Sequence, residues 1–143
     1  MSIAKQLNEL QSDYQVLYQK LRNYHWNVVG RQFFGLHLQF EAMYNEAANR
    51  IDEIAERTLA LGGKPVTTLA SQLKLASLKE DETSPVAEIM VANLRADLES
   101  LNKKLRDVSK AAGEAGDIAT VNLVDGIADS QEKTVWMLRA FGS

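Results

Sequence analysis

Apolar side chains recur along the chain at alternating steps of four and three residues, the spacing that lines one side of an α-helix. The first stripe runs through Ile3, Leu7, Leu10, Tyr14, Leu17, Leu21, Tyr24 and Val28 without a break, and Gly30 ends it. A second runs through Leu36, Phe40, Met43, Ala47, Ile51 and Ile54 and stops at "LGGKP". There Gly62 or Gly63 suits the left-handed C-cap, and Pro65 blocks continuation. Residues 66–82, "VTTLASQLKLASLKEDE", form a mixed connection with a short helix around Leu69 to Leu78. Its length suits a crossover between parallel neighbours. "TSPVAE" then opens a third long helix, with Thr83 or Ser84 as N-cap and Pro85 at the first position. Its stripe is Met90, Leu94, Leu98, Leu101, Leu105 and Val108, ending near "AAGEAG". The fourth runs from about Asp117 to Phe141 through Val121, Val124, Ala128, Val135 and Leu138. The pattern predicts an all-α four-helix bundle in one domain, 1–143, with a short extra helix in the crossover between the second and third long helices.

Composition narrows what such a bundle can do. The 143 residues suffice to bury a real core, and 45% apolar content is ordinary for a globular protein. No cysteine is present, which excludes disulfides and thiolate metal sites. A net charge of −3 argues against a nucleic-acid surface and for tolerance of cations. No apolar run approaches the roughly 20 residues needed to cross a bilayer, and the N-terminus is polar and periodic, unlike a signal peptide. A soluble, cytoplasmic protein is the expectation. The basic group Lys103, Lys104, Arg106 and Lys110 alternates with Glu99 and Asp107 and reads as a solvated helix face.

The candidate chemistry lies elsewhere. Both histidines of the chain, His25 and His37, bracket "HWNVVGRQFFGLH". At about 100° per residue, His37, Glu41, Asp52 and Glu56 share one arc of the second helix, away from its apolar stripe. Tyr44, Ala48 and Ala55 share that arc. Singly, such acids are ordinary solvated charges; together with a histidine they form a candidate site for iron, zinc or manganese. Yet His37 and Asp52 stand 15 residues apart, roughly 22 Å along a helix axis. Either the histidines and the acids serve different purposes, or a second chain brings them together. Trp26, Phe33, Phe34 and Phe40 read first as core packing.

Residues 23–65 resemble the Dps family, the miniferritins. The match joins the His25–Trp26 pair, Gly30, Phe33 and Leu36-His37 to "DEIAER" at 52–57 and "LGGKP" at 61–65, and "QEKTVWMLRAF" resembles the family's last helix. The resemblance implies a ferritin-like bundle and a homo-oligomeric shell of twelve subunits. It implies a ferroxidase that oxidises Fe(II), preferentially with hydrogen peroxide, stores the ferric product inside and protects against oxidative damage. The family's di-iron ligands carry over to His25, His37, Asp52 and Glu56, with Glu41 where the family often has an aspartate. Trp26 matches a tryptophan that donates electrons or traps radicals. Asp117, followed by Asn122, Asp125 and Asp129 on one stripe of the last helix, is the candidate ion pore. Many members carry a lysine-rich N-terminal tail, but here only Lys5 precedes Lys20, which argues against a DNA-compacting shell as the alternative function. A di-iron oxidase inside one bundle needs Glu-x-x-His pairs, and neither histidine has an acid three residues before it. A second copy of the second helix, packed antiparallel across a two-fold axis near Tyr44 to Ala48, would bring one chain's histidines to the other's Asp52 and Glu56.

Overall fold

The computed structural model describes residues 1–142. Four long helices and one short one follow in the order expected: α1 (Ile3–Asn27), α2 (Phe33–Ala60), α3 (Leu69–Leu75), α4 (Ala87–Glu114) and α5 (Ile118–Phe141). No helix among the described residues is long and apolar enough to cross a membrane. The stripes read from the sequence make the core: Leu10, Tyr14, Leu21, Tyr24, Phe40, Ile54, Met90, Leu94, Leu101, Leu105 and Val124 are all buried. Ile127 joins them, whereas Val121 is only half-buried, so the inward face of α5 lies slightly round from the one expected.

Cross-helix bonds fix the topology. α1 meets α2 through Tyr18–Tyr44 and meets α4 through Lys20–Asp97 and Asp13–Lys104, antiparallel in both cases. α5 meets α4 through Gln131–Asn102 and meets α2 through Ser130–Glu46, again antiparallel. It follows that α2 and α4 run parallel, so the connection between them is a crossover. They lie diagonally across the bundle rather than side by side.

That crossover is strapped along α1. Asn8 donates to the Lys64 carbonyl and accepts from Val66 N–H, and Gln11 donates to the Val66 carbonyl. Asp13, fully buried, accepts from the backbone N–H groups of Ser77 and Leu78 at 2.7 and 3.0 Å and from the Lys104 ammonium. The short helix therefore stops at Leu75, three residues before the expected end, because the following backbone turns its donors to Asp13. Lys104 is accordingly an inward-reaching tether, not a purely solvated charge.

Helix ends carry two further findings. Gly62, at φ +82°, takes the left-handed position after α2. Gly63 beside it runs so close to α1 that a Cβ would come within 3.1 Å of the Ala4 methyl. The expected cap of α4 is wrong. Val86 occupies that position without a side-chain bond, and Ala87 begins the helix. Asp81 has captured Thr83 instead, through both its N–H and its hydroxyl, and Tyr24 and Asn23 hold the same loop to α1. Thr83 is thus spent on the loop, and Ser84 and Pro85 lie outside the helix.

Candidate metal centre

The turn between α1 and α2 brings the two histidines face to face. Their rings stack with centroids 3.8 Å apart and planes 12° from parallel. Each ring then bonds the other's backbone: His25 Nδ1 lies 2.7 Å from the His37 carbonyl oxygen, and His37 Nδ1 lies 2.7 Å from the His25 carbonyl oxygen. A carbonyl oxygen can only accept, so both Nδ1 atoms carry protons and, in the neutral rings, both Nε2 atoms keep their lone pairs. Such backbone-locked imidazoles are what metal-ligating histidines use to set tautomer and orientation. Phe33 stacks on His37 at 4.9 Å and Tyr44 meets His25 edge-on at 5.2 Å, closing the pair from both sides. His25 is buried and His37 half-buried.

Glu41, one turn along α2, sets an oxygen 3.7 Å from His25 Nε2. That is too long for a hydrogen bond but fits two donors of one ion, since ligand bonds of roughly 2.0–2.2 Å allow a separation of about 4 Å. His25 Nε2 and the Glu41 carboxylate are thus a pair of donors, and imidazole with carboxylate suits borderline and hard divalent cations. The other two carboxylates do not join it. α2 is one unbroken helix from Phe33 to Ala60, so Asp52 and Glu56 lie roughly 22 Å and beyond from His37. Both are exposed, and among the described residues neither side chain makes a hydrogen bond or ion pair. Among the described residues, no group of three or more His, Asp or Glu side chains is close enough to hold an ion by itself.

The remaining predicted residues divide. Trp26 is 55% exposed, with the Arg22 guanidinium 4.8 Å from its ring, so core packing does not account for it. Phe34 is 80% exposed, which overturns its packing assignment too, whereas Phe40 is fully buried and Phe33 serves His37. Asp117 caps α5 by accepting from Thr120 N–H, and it pairs with Arg57 at 2.9 Å. The Thr120 hydroxyl, with further help from Arg57, holds its carboxyl below the usual carboxylate range. Asn122, Asp125 and Asp129 are exposed. The centre of the bundle holds no carboxylate cage: Tyr14 donates to Gln131, which donates to Asn102, and Arg50 is paired with Glu46 and Glu53. The histidine-to-carbonyl lock, the edge-on contact of Tyr44 with His25 and the Arg57–Thr120 bond were not read from the sequence. Only the aromatic residues bracketing each histidine gave any signal of them.

Comparison with known proteins matches this arrangement. The family model described as "Ferritin-like domain" covers residues 4–142. The DNA protection during starvation protein of Porphyromonas gingivalis is 44% identical over 141 residues, covering 99% of this chain and 89% of the relative. That of Brevibacillus brevis is 45% identical, covering 97% and 93%. The chain belongs to the Dps family. Among solved Dps structures, that of Staphylococcus aureus superposes with a TM-score of 0.96 at 40% identity, covering 99% of this chain and 95% of the other. The Dps of Vibrio cholerae O1, described as a member of a broad superfamily of ferritin-like diiron-carboxylate proteins, gives 0.96 at 39% identity, covering 99% and 89%. The Dps fold thus accounts for the bundle and its crossover together.

Proposed function

We propose that the protein is a ferroxidase and iron store whose reaction sites are each shared between two subunits. Fe(II) is the substrate. His25 and His37, with Glu41 beside them, would form one half of a site, and Asp52 and Glu56 of the partner subunit the other. The observation that carries this reading is the reciprocal lock of the two imidazoles, which turns both Nε2 lone pairs outward from the chain's own hydrogen bonding. The matching acids sit far along the same rigid helix, exposed and uncommitted. A two-fold axis near Tyr44 to Ala48 would join the halves twice, giving two equivalent sites per dimer. Ala48 is exposed on this stretch and offers no bulk against close helix approach.

Carboxylates stabilise the Fe(III) product, and the neutral imidazoles hold the softer Fe(II). Hydrogen peroxide is the preferred oxidant, because it takes two electrons and two Fe(II) each give one, yielding two waters with two protons consumed. Trp26, next to His25 in the chain and exposed, would supply the second electron when only one Fe(II) is bound. Asn122, Asp125 and Asp129 would line the cation entry, and the ferric product would be held in a cytoplasmic shell of twelve subunits. Zinc or manganese would compete for the same donors.

The test is complementation. His25→Ala with His37→Ala, or Asp52→Ala with Glu56→Ala, should each slow peroxide-driven Fe(II) oxidation severely in folded protein. Co-assembling the two dead chains should restore activity, because a mixed dimer regains one intact site. Absence of rescue in verified mixed assemblies would refute the shared site. Anaerobic titration should consume two Fe(II) per peroxide, and a rate no faster than with dioxygen would remove the peroxide preference.

The relatives' name favours a second reading, protection by binding DNA. The net charge of −3 weighs against it.

A further inference from the structure

The end of α2 that carries Asp52 and Glu56 is electrostatically unfavourable by itself. Carboxylates at i and i+4 repel, and the C-terminal end of a helix already bears the negative end of its dipole, whereas Glu53 is paired with Arg50. Glu56 also lies within five residues of Ala60, where helices fray. Burial of Ile54 and Thr58 packs one side of this end, and Arg57 adds a polar tie to α5. Arg57 donates from Nε to the Thr120 hydroxyl oxygen at 2.9 Å and from a terminal nitrogen to Asp117 at 2.9 Å. Thr120 is fully buried, and Asp117 is the N-cap of α5. The start of α5 and the acid-bearing end of α2 are therefore one hydrogen-bonded unit.

We propose that Thr120 and Asp117 are positioning residues for the iron site, acting through Arg57 to hold the last turns of α2 at the angle that Asp52 and Glu56 need. The inference rests on the ferroxidase reading above. It assigns Asp117 a role distinct from lining a pore, since its oxygens are committed to Arg57 and Thr120.

The probe is Zn(II), titrated calorimetrically into the assembled protein, with Fe(II) oxidation kinetics alongside. Arg57→Gln and Thr120→Val should each weaken Zn(II) binding by about tenfold to a hundredfold, the usual cost of losing an outer support of a metal ligand. Both should raise the KM for Fe(II) more than they lower kcat. Thr120→Ser keeps the hydroxyl and should bind like the wild type. A lowered melting temperature with unchanged Zn(II) affinity would overturn the proposal, since a merely structural contact behaves that way. Thr120 is buried and neutral, so wild-type affinity in Thr120→Val with a defect only in Asp117→Asn would point to a pore instead and also overturn it. If Thr120→Val does not assemble, Arg57→Gln decides. Glu56→Ala is the benchmark: unchanged Zn(II) affinity there means the iron-site reading itself has failed, whereas loss there with normal clamp variants removes only the clamp.

Discussion

Asp13 has no solvent contact and yet keeps its charge company on three sides: two backbone N–H groups of the crossover and the Lys104 ammonium. Removing it strands both N–H groups. Asp13→Ala should cost about 2–4 kcal/mol, since each buried donor left unmade costs roughly 1–3 kcal/mol while Lys104 can turn to water, read as a lower guanidinium midpoint at fixed subunit concentration. A second residue-scale prediction concerns Arg50. Its Nε is buried without a partner beside a cavity of about 20 Å³ bordered by Tyr14, Glu46 and Gln131. Roughly 10–15 Å³ of such space holds one water, and here a water can accept from Nε and donate to the Glu46 carboxylate and the Tyr14 oxygen. A crystal structure fine enough to resolve single waters should place one there; a dry cavity would contradict this. Asp117 makes a third prediction, with a definite sign. Its folded pKa is depressed, so its contribution to stability is present above the ordinary carboxylate value of about 4 and is lost as pH falls through the lower folded value. The stability gap between wild type and Asp117→Asn should therefore be full at pH 7 and close only in strong acid. A gap that closes near pH 5 would mean the clamp is not what depresses the carboxyl.

Helix periodicity was legible because burial acts on every third or fourth residue, and a 25-residue helix repeats that signal many times. Helix boundaries were less so. The start of α4 was misplaced because Thr83 looks like a cap in isolation, and only the folded loop reveals Asp81 as its competing partner. The end of α3 was missed for the same reason, Asp13 being more than 60 residues away in the chain. At the site, the residue types and the separation along α2 were readable from one-dimensional spacing. The lock between the histidines was not, because it joins side chains to carbonyl oxygens that every residue possesses. Phe34 reads as core on hydrophobicity alone, which cannot distinguish a side chain buried by its own chain from one left outside it.

At the scale of the whole molecule, charge sets the expectation for nucleic acid. Duplex affinity comes mainly from neutralising phosphates, and these 143 residues carry three more acids than bases. A gel-shift assay at roughly 0.15 M salt, where the Debye length is about 8 Å, should show no retardation without added divalent metal. Tight binding there would reveal a basic surface formed only in the assembly. The exposed apolar residues point to another consequence. Phe34 and Leu38, one turn apart on α2, both stand largely in solvent on one isolated chain. With each reaction site divided between two chains as proposed, dilution becomes an inhibitor. Below the dissociation constant of the dimer the total rate should follow the square of chain concentration, so turnover per subunit falls in proportion to concentration. The cell would then set its iron-oxidising capacity partly by how much of the chain it makes, with a threshold that no single-chain enzyme of equal intrinsic rate would have.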